Sequence, residues 1–185
     1  KQSRRPNAPP VSPVTDPMAV TDLVARAAAV LGVPARVAGS VIWSPGRVNL
    51  IGDHIDYSGG LVLPMALDRG THAVVFPRGD ELLRGYSANF AADGVKASLA
   101  DTGFDASRGW FSYVLAVIDT AIAAGHRPAH GWDIYLTGDI PAGGGLSSSA
   151  SVELAVATAM EHMFDFGLDP TQWAVLRTTA VQVNE

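Results

Sequence analysis

The stretch "GDIPAGGGLSSSAS", residues 138–151, constrains the fold more than any other part of this chain. Its first two residues close "WDIYLTGD" at 132–139, which alternates like a strand, and it is followed by an apolar pattern of helical spacing that runs to about residue 166. A strand must therefore pass through a glycine-rich turn straight into a helix. Glycine allows φ > 0 and close approach of backbone N–H groups to a ligand. The first four N–H groups of a helix have no partner within it and carry the positive end of its dipole. Together these make an anion site, usually for phosphate. The plainer alternative is that Ser147, Ser148 and Ser149 cap the helix and the glycines only turn the chain. No "GK[ST]" follows the glycines, and the only lysines are Lys1 and Lys96, so this is not a Walker A loop. The spacing of a dinucleotide or protein-kinase glycine loop is also absent. A nucleotide held here must be held by backbone, serine and metal.

The rest of the chain reads as a mixture of helices and hairpins, which argues an α+β fold. Apolar residues recur at helical spacing over 16–31, ended by Gly32 and Pro34. Residues 38–43 turn β-like. "LVLPMAL" at 61–67 and "THAVVF" at 71–76 flank "DRG", which predicts a hairpin turning at 68–70. From residue 110 to 122, Trp110, Tyr113, Val114, Val117, Ile118 and Ala121 share one helical face, with Gly125 placed for the C-terminal cap. At 185 residues, 48% hydrophobic and 17% charged, the chain supports one core. Residues 1–15 hold four prolines and three basic residues without an apolar stretch, so a flexible leader is expected there rather than a secretory signal. A formal charge of −5 gives nucleic acid no basic surface. The chain has no cysteine and no run of about 18 apolar residues, so disulfides are excluded, no membrane partner is expected, and a cytoplasmic location fits.

A second stretch, "SPGRVNLIGDHIDYSGGLVLPMAL" at 44–67, gathers Arg47, Asn49, Asp53, His54, Asp56 and Tyr57 between apolar neighbours. Carboxylates and a histidine suit a site for sugar hydroxyls, each of which both donates and accepts. Taken singly, Arg47 reads as one half of an ordinary ion pair and His54 as a loop histidine. Taken together, the stretch resembles the galactokinase signature, and "PAGGGLSSSAS" resembles the second signature of the galacto-, homoserine, mevalonate and phosphomevalonate kinases. "RGWFSYVLAVI" at 108–118 is similar to a further galactokinase helix, with Ala116 where glycine is usual.

The resemblance implies the galactokinase-type small-molecule kinase fold, ribosomal-protein-S5-domain-2-like with a left-handed β-α-β crossover. Residues 16–185 would form its N-terminal kinase domain, ending before the catalytic aspartate segment and the C-terminal domain, so that the chain alone is expected to be inactive. It implies ATP and Mg²⁺ as cofactors, galactose or a related sugar as substrate, and a monomer. By position, Arg47 matches the arginine that stabilises the transferring phosphoryl group and contacts the sugar; Asp53, His54 and Asp56 match the sugar-binding stretch. Pro141, Gly143, Gly144, Gly145, Leu146, Ser147, Ser148 and Ser149 match the loop around the ATP phosphates. Ser149 matches a metal ligand, and Glu185 a second one, with Val183 the alternative register. Asp53 stands where the family has glutamate, one methylene longer, which leaves open a kinase of N-acetylgalactosamine or arabinose. A non-catalytic galactose sensor on the same fold is the other alternative, and the intact serine run argues against it.

Overall fold

The computed structural model describes residues 16–52, 59–90, 94–103, 105–141 and 145–182. Helix α1 (Pro17–Leu31) is the first described element. Asp16 caps it by accepting a 3.0 Å hydrogen bond from Met18 N, and Gly32 ends it in the left-handed region. Five strands follow with helices interleaved: β1 (Ser40–Ile51), β2 (Leu63–Pro77), β3 (Leu82–Ser87), β4 (Val95–Ser98), α2 (Phe111–Ala123), β5 (Trp132–Gly138), α3 (Ser148–Phe164) and α4 (Pro170–Gln182). The sheet order is β1-β2-β5-β3-β4. β3 and β5 pair in parallel, joined through β4 and α2, and the other neighbours are antiparallel.

Helices cover both faces of the sheet. On one, Leu23, Ala27 and Leu31 of α1 pack on Val74, Phe76 and Tyr135. On the other, α2, α3 and Trp173 of α4 enclose Ile42, Ala73, Val75, Leu83, Ile134 and Leu136. β5 lies between these layers, so Trp132 to Thr137 are all buried. The alternation expected of "WDIYLT" is therefore not a wet face and a dry face, because both are covered. The charged residue among them, Asp133, is matched by Arg84 (2.7 Å) and Arg78 (3.0 Å), which is how a carboxylate tolerates such burial.

The hairpin predicted at 68–70 is not formed. β2 runs through those residues as one strand of 15. The reversal lies between Ile51 and Leu63, and β2 pairs back along β1. What "DRG" makes instead is an irregularity: from Pro45↔Gly70 to Arg47↔Ala66, β1 advances two residues while β2 advances four. Gly70 is required for closeness rather than for turning. A Cβ there would lie 2.3 Å from the Ser44 carbonyl oxygen and 2.7 Å from Trp43 Nε1. In α2 the apolar face is as expected except for Tyr113, which is 45% exposed; Phe111, Leu115 and Ala116 are buried in its place. The helix expected to reach residue 166 stops at Phe164, where Asp165 takes a left-handed conformation (φ 49°). Three elements were not expected: β3 and β4, which are short, and α4, whose apolar residues follow no helical period.

Candidate phosphate loop and sugar-signature strand

Two segments far apart in sequence meet at the irregularity in the β1–β2 ladder. Gly46 is buried there, and a Cβ on it would stand 2.9 Å from the Leu146 carbonyl oxygen and 2.9 Å from Ile140 Cδ1. Arg47 N donates to that same Leu146 oxygen at 3.3 Å. The strand carrying Arg47 thus lies directly against the exit of the glycine-rich loop. The juncture is held from below by Ser151 in the first turn of α3. Its fully buried hydroxyl is 2.7 Å from the Ser44 carbonyl oxygen and 2.9 Å from Thr71 Oγ1, tying α3 to the paired residues of β1 and β2 just inside the irregularity.

The loop itself is approached from β5. Asn89 closes the end of that strand by bonding both Gly138 O (2.6 Å) and Gly138 N (2.9 Å) through its side-chain amide. Asp139 follows. Its carboxylate accepts from Gly70 N at 2.9 Å, and its own N–H donates to Gly70 O at 3.3 Å. The chain re-emerges at Gly145 (φ 69°) and passes Ser147 at φ 54°, ψ 47°. A non-glycine residue in the left-handed region costs on the order of 1–2 kcal/mol, and such residues concentrate at ligand clamps.

Ser147 is the N-cap residue of α3, yet its side chain makes no capping hydrogen bond. The capping alternative therefore fails for Ser147. The first i→i−4 bond of α3 runs from Ser151 N to Ser147 O at 3.0 Å, so the N–H groups of Ser148, Ser149 and Ala150 point out of the helix start. No acidic side chain occupies the first turn. Leu146 to Ser149 are half-buried, and Pro141 and Gly145 are exposed. Three open donors at the positive end of a 17-residue helix, without a competing carboxylate, fit a polyphosphate. The Ser149 hydroxyl at this end is a hard oxygen donor of the kind Mg²⁺ takes alongside phosphate and water oxygens. Among the described residues no group of three His, Asp or Glu side chains could hold a metal ion by itself.

The described residues include Arg47, Pro141 and Gly145 to Ser149 of the expected site. Asp53, His54, Asp56, Gly143, Gly144, Val183 and Glu185 lie outside them. The residues that join the two segments escaped the sequence reading. Gly46 and Gly70 look like turn glycines, and Ser151 looks like one more member of the serine run. The available signal was position: Ser151 lies one helical turn beyond Ser147, on the face that the apolar residues of α3 assign to the core. His72 was missed too. It is buried on β2, and burial pushes its imidazole below the usual 6.5, with the nearby Asp139 carboxylate partly opposing.

Residues 32–77 match the galactokinase galactose-binding signature, and residues 112–184 match the GHMP kinases N terminal domain. The galactokinase of Streptococcus mutans serotype c is 45% identical over 135 residues, which is 72% of this chain and 35% of that protein. That of Bacillus subtilis is 46% identical over 123 residues, 66% of this chain and 32% of that one. The chain thus spans about a third of the length of the curated relatives it matches. Among solved structures, the Lactococcus lactis galactokinase complexed with galactose superposes with a TM-score of 0.81 at 31% identity, over 88% of this chain and 42% of that one. The Methanococcus jannaschii mevalonate kinase superposes at 0.66 with 22% identity, over 80% of this chain and 47% of that one, which shows a shared fold.

Proposed function

The chain belongs to the galactokinase family of the GHMP kinases, and from that premise we propose that it serves the ATP- and Mg²⁺-dependent phosphorylation of the C1 hydroxyl of galactose. The observation that supports this reading is the hydrogen bond from Arg47 N to Leu146 O, which joins the segment matching the galactose-binding signature to the glycine- and serine-rich segment. Residues 16–185 correspond in this reading to the N-terminal kinase domain.

ATP and Mg²⁺ supply the phosphoryl group and the countercharge for its oxygens when bound. In phosphoryl transfer the transition state spreads charge over those oxygens, and positioning with electrostatic stabilisation dominates. The N–H groups at 148–150 would hold phosphate oxygens without reorganising, and the Ser149 hydroxyl would serve the metal, with Glu185 as its partner. Arg47 would stabilise the charge that develops between sugar and phosphoryl group. Asp53, His54 and Asp56 orient the sugar by its hydroxyls. The serine and glycine loop favours a working enzyme over a sensor. An ATP-consuming sugar kinase works in the cytoplasm, as a monomer in this reading.

The test is ATP-dependent formation of galactose 1-phosphate by full-length protein that carries this chain, with kcat/KM compared for galactose, N-acetylgalactosamine and arabinose. Galactose should lead. Asp53, one methylene shorter than the family glutamate, supports the second reading; preference for one of the other sugars, moved towards galactose by Asp53→Glu, would establish it.

A further inference from the structure

Arg69 has no role in the account above, and its surroundings assign it one. The elements that converge on the loop are β1, β2, the end of β5 and the start of α3. Among the described residues of these segments the only guanidinium groups are those of Arg47 and Arg69. Arg69 sits in the two-residue surplus of β2 that faces Gly46. Such irregularities re-aim side chains at the margins of functional sites. Its neighbour Gly70 is fastened to Asp139 by two hydrogen bonds, and Asp139 is two residues before Pro141, where the loop begins.

The guanidinium is half-exposed, at 51%, and its nearest charge is Asp139 Oδ2 at 3.8 Å, too far for a hydrogen bond. Among the described residues Arg69 makes no hydrogen bond. The Asp139 carboxylate, 6% exposed, is already engaged by Gly70 N. Asp139 thus keeps the arginine near the loop's entry and leaves its five donors open. The loop has no lysine of its own, and backbone N–H groups supply only partial charge against a polyphosphate. An arginine fork matches phosphate oxygens in geometry as well as charge.

We propose that Arg69 is a second phosphate-directed cation of the nucleotide site: its guanidinium turns from Asp139 onto the phosphates of a nucleotide bound at residues 145–149, and raises nucleotide affinity rather than stabilising the transition state. This rests on the phosphate reading of the loop. The contact is made equally by ATP and ADP, so it affects binding more than turnover.

The experiment titrates MgADP and tripolyphosphate into the full chain as wild type, Arg69→Met, Arg69→Lys and Gly144→Val, at low and high salt, with a thermal melt of each. Methionine keeps the apolar stem. Arg69→Met should weaken both ligands about fivefold to tenfold, the scale of one charge-assisted contact at a partly exposed position. It should also flatten the salt dependence, melt with wild type and leave galactose affinity unchanged. Arg69→Lys should recover part of the loss. Unchanged affinity in Arg69→Met, with binding abolished in Gly144→Val, would overturn the role of Arg69 and leave the loop reading intact. Equal weakening for galactose, or a lowered melt, would make Arg69 structural and overturn it as well. A wild type that binds neither ligand, or a Gly144→Val that binds as wild type does, would overturn the loop reading and Arg69 with it.

Discussion

The two halves of strand β2 are made of similar residues and live in different surroundings. From Thr71 to Phe76 every residue is buried, between α1 on one face and α3 on the other. From Leu63 to Ala66 every residue is exposed, with Leu63 at 53% and Met65 at 46%, and Leu50 and Ile51 of β1 beside them are exposed too. The boundary is the irregularity opposite Gly46, and Arg47 is the first paired residue on its outer side. The inner half is scaffold, fixed by packing on both faces. The outer half has no such packing to maintain, and its sequence is free to serve the galactose-binding signature that it carries. A substitution should therefore be felt as lost stability inside the boundary and as lost activity or binding outside it.

The sharpest way to break this division is Arg47→Ala. One lost transition-state contact lowers rate by roughly 10²–10³, so kcat for galactose phosphorylation, measured on full-length protein that carries this chain, should fall by that factor while ATP affinity and the melting temperature change little. A turnover equal to wild type removes Arg47 from the chemistry. A large fall in melting temperature makes it scaffold instead.

Next in size is Gly70→Ala, set against Leu63→Ser. At Gly70 the new methyl meets the Ser44 carbonyl, part of a backbone that cannot yield cheaply. Overpacking of this kind costs about 1–3 kcal/mol, occasionally more. Leu63→Ser, in the exposed half, should stay within about 0.5 kcal/mol. Chemical denaturation of the two variants measures both. Comparable losses would erase the boundary.

Ser149→Ala separates metal from phosphate at the loop. Loss of a contact to a charged group is worth about 1.5–3 kcal/mol, so Mg²⁺-ATP should bind about tenfold more weakly or worse, and metal-free ATP should be nearly unaffected. Equal losses for the two would make the hydroxyl a phosphate donor.

The smallest expected effect belongs to His72 in the inner half. Its folded-state pKa lies below the unfolded 6.5. The neutral imidazole therefore contributes stability that is full above about pH 6.5 and is lost as pH falls towards the folded value. Denaturation midpoints should decline over that window in wild type and more shallowly in His72→Gln. Asp80 and Asp105, both held below the usual 3.8 by hydrogen bonds, act only at lower pH: Asp80 through Arg78, down to about 2, and Asp105 through Ser107. A wild-type profile flat between pH 6.5 and 5 would take His72 out of the stability balance.

The sequence was most legible where local chemistry and tertiary context agree. The strand and the serine-rich helix start within 132–149 announced their order, because the period changes from two to helical across a glycine-rich segment. It was least legible where one residue type has two uses. Gly70 next to Asp68 and Arg69 reads as a turn, and only the approach of Ser44 from β1 reveals a glycine kept for contact. Ser147 reads as a cap, and only its left-handed backbone shows that its side chain is not used that way. β3 and α4 were hidden for a related reason: their burial comes from partners distant in sequence, and neither carries a period of its own. Within the site, Arg47 and the loop serines could be named from motifs. Their juncture through Gly46, Leu146 and Ser151 could not, since no local signal encodes which carbonyl a distant amide will meet.

Phosphate binding in this reading falls to the backbone N–H groups at the start of α3, placed against the Arg47 strand. It is tested most directly by titrating Mg²⁺-ATP into ¹⁵N-labelled chain and following each amide by NMR. Gly145, Ser148, Ser149 and Ala150 should shift most and saturate together, with Arg47 moving in step through its bond to Leu146, while Thr71 to Phe76 stay in place. Saturable shifts elsewhere that leave those five amides unmoved would contradict it.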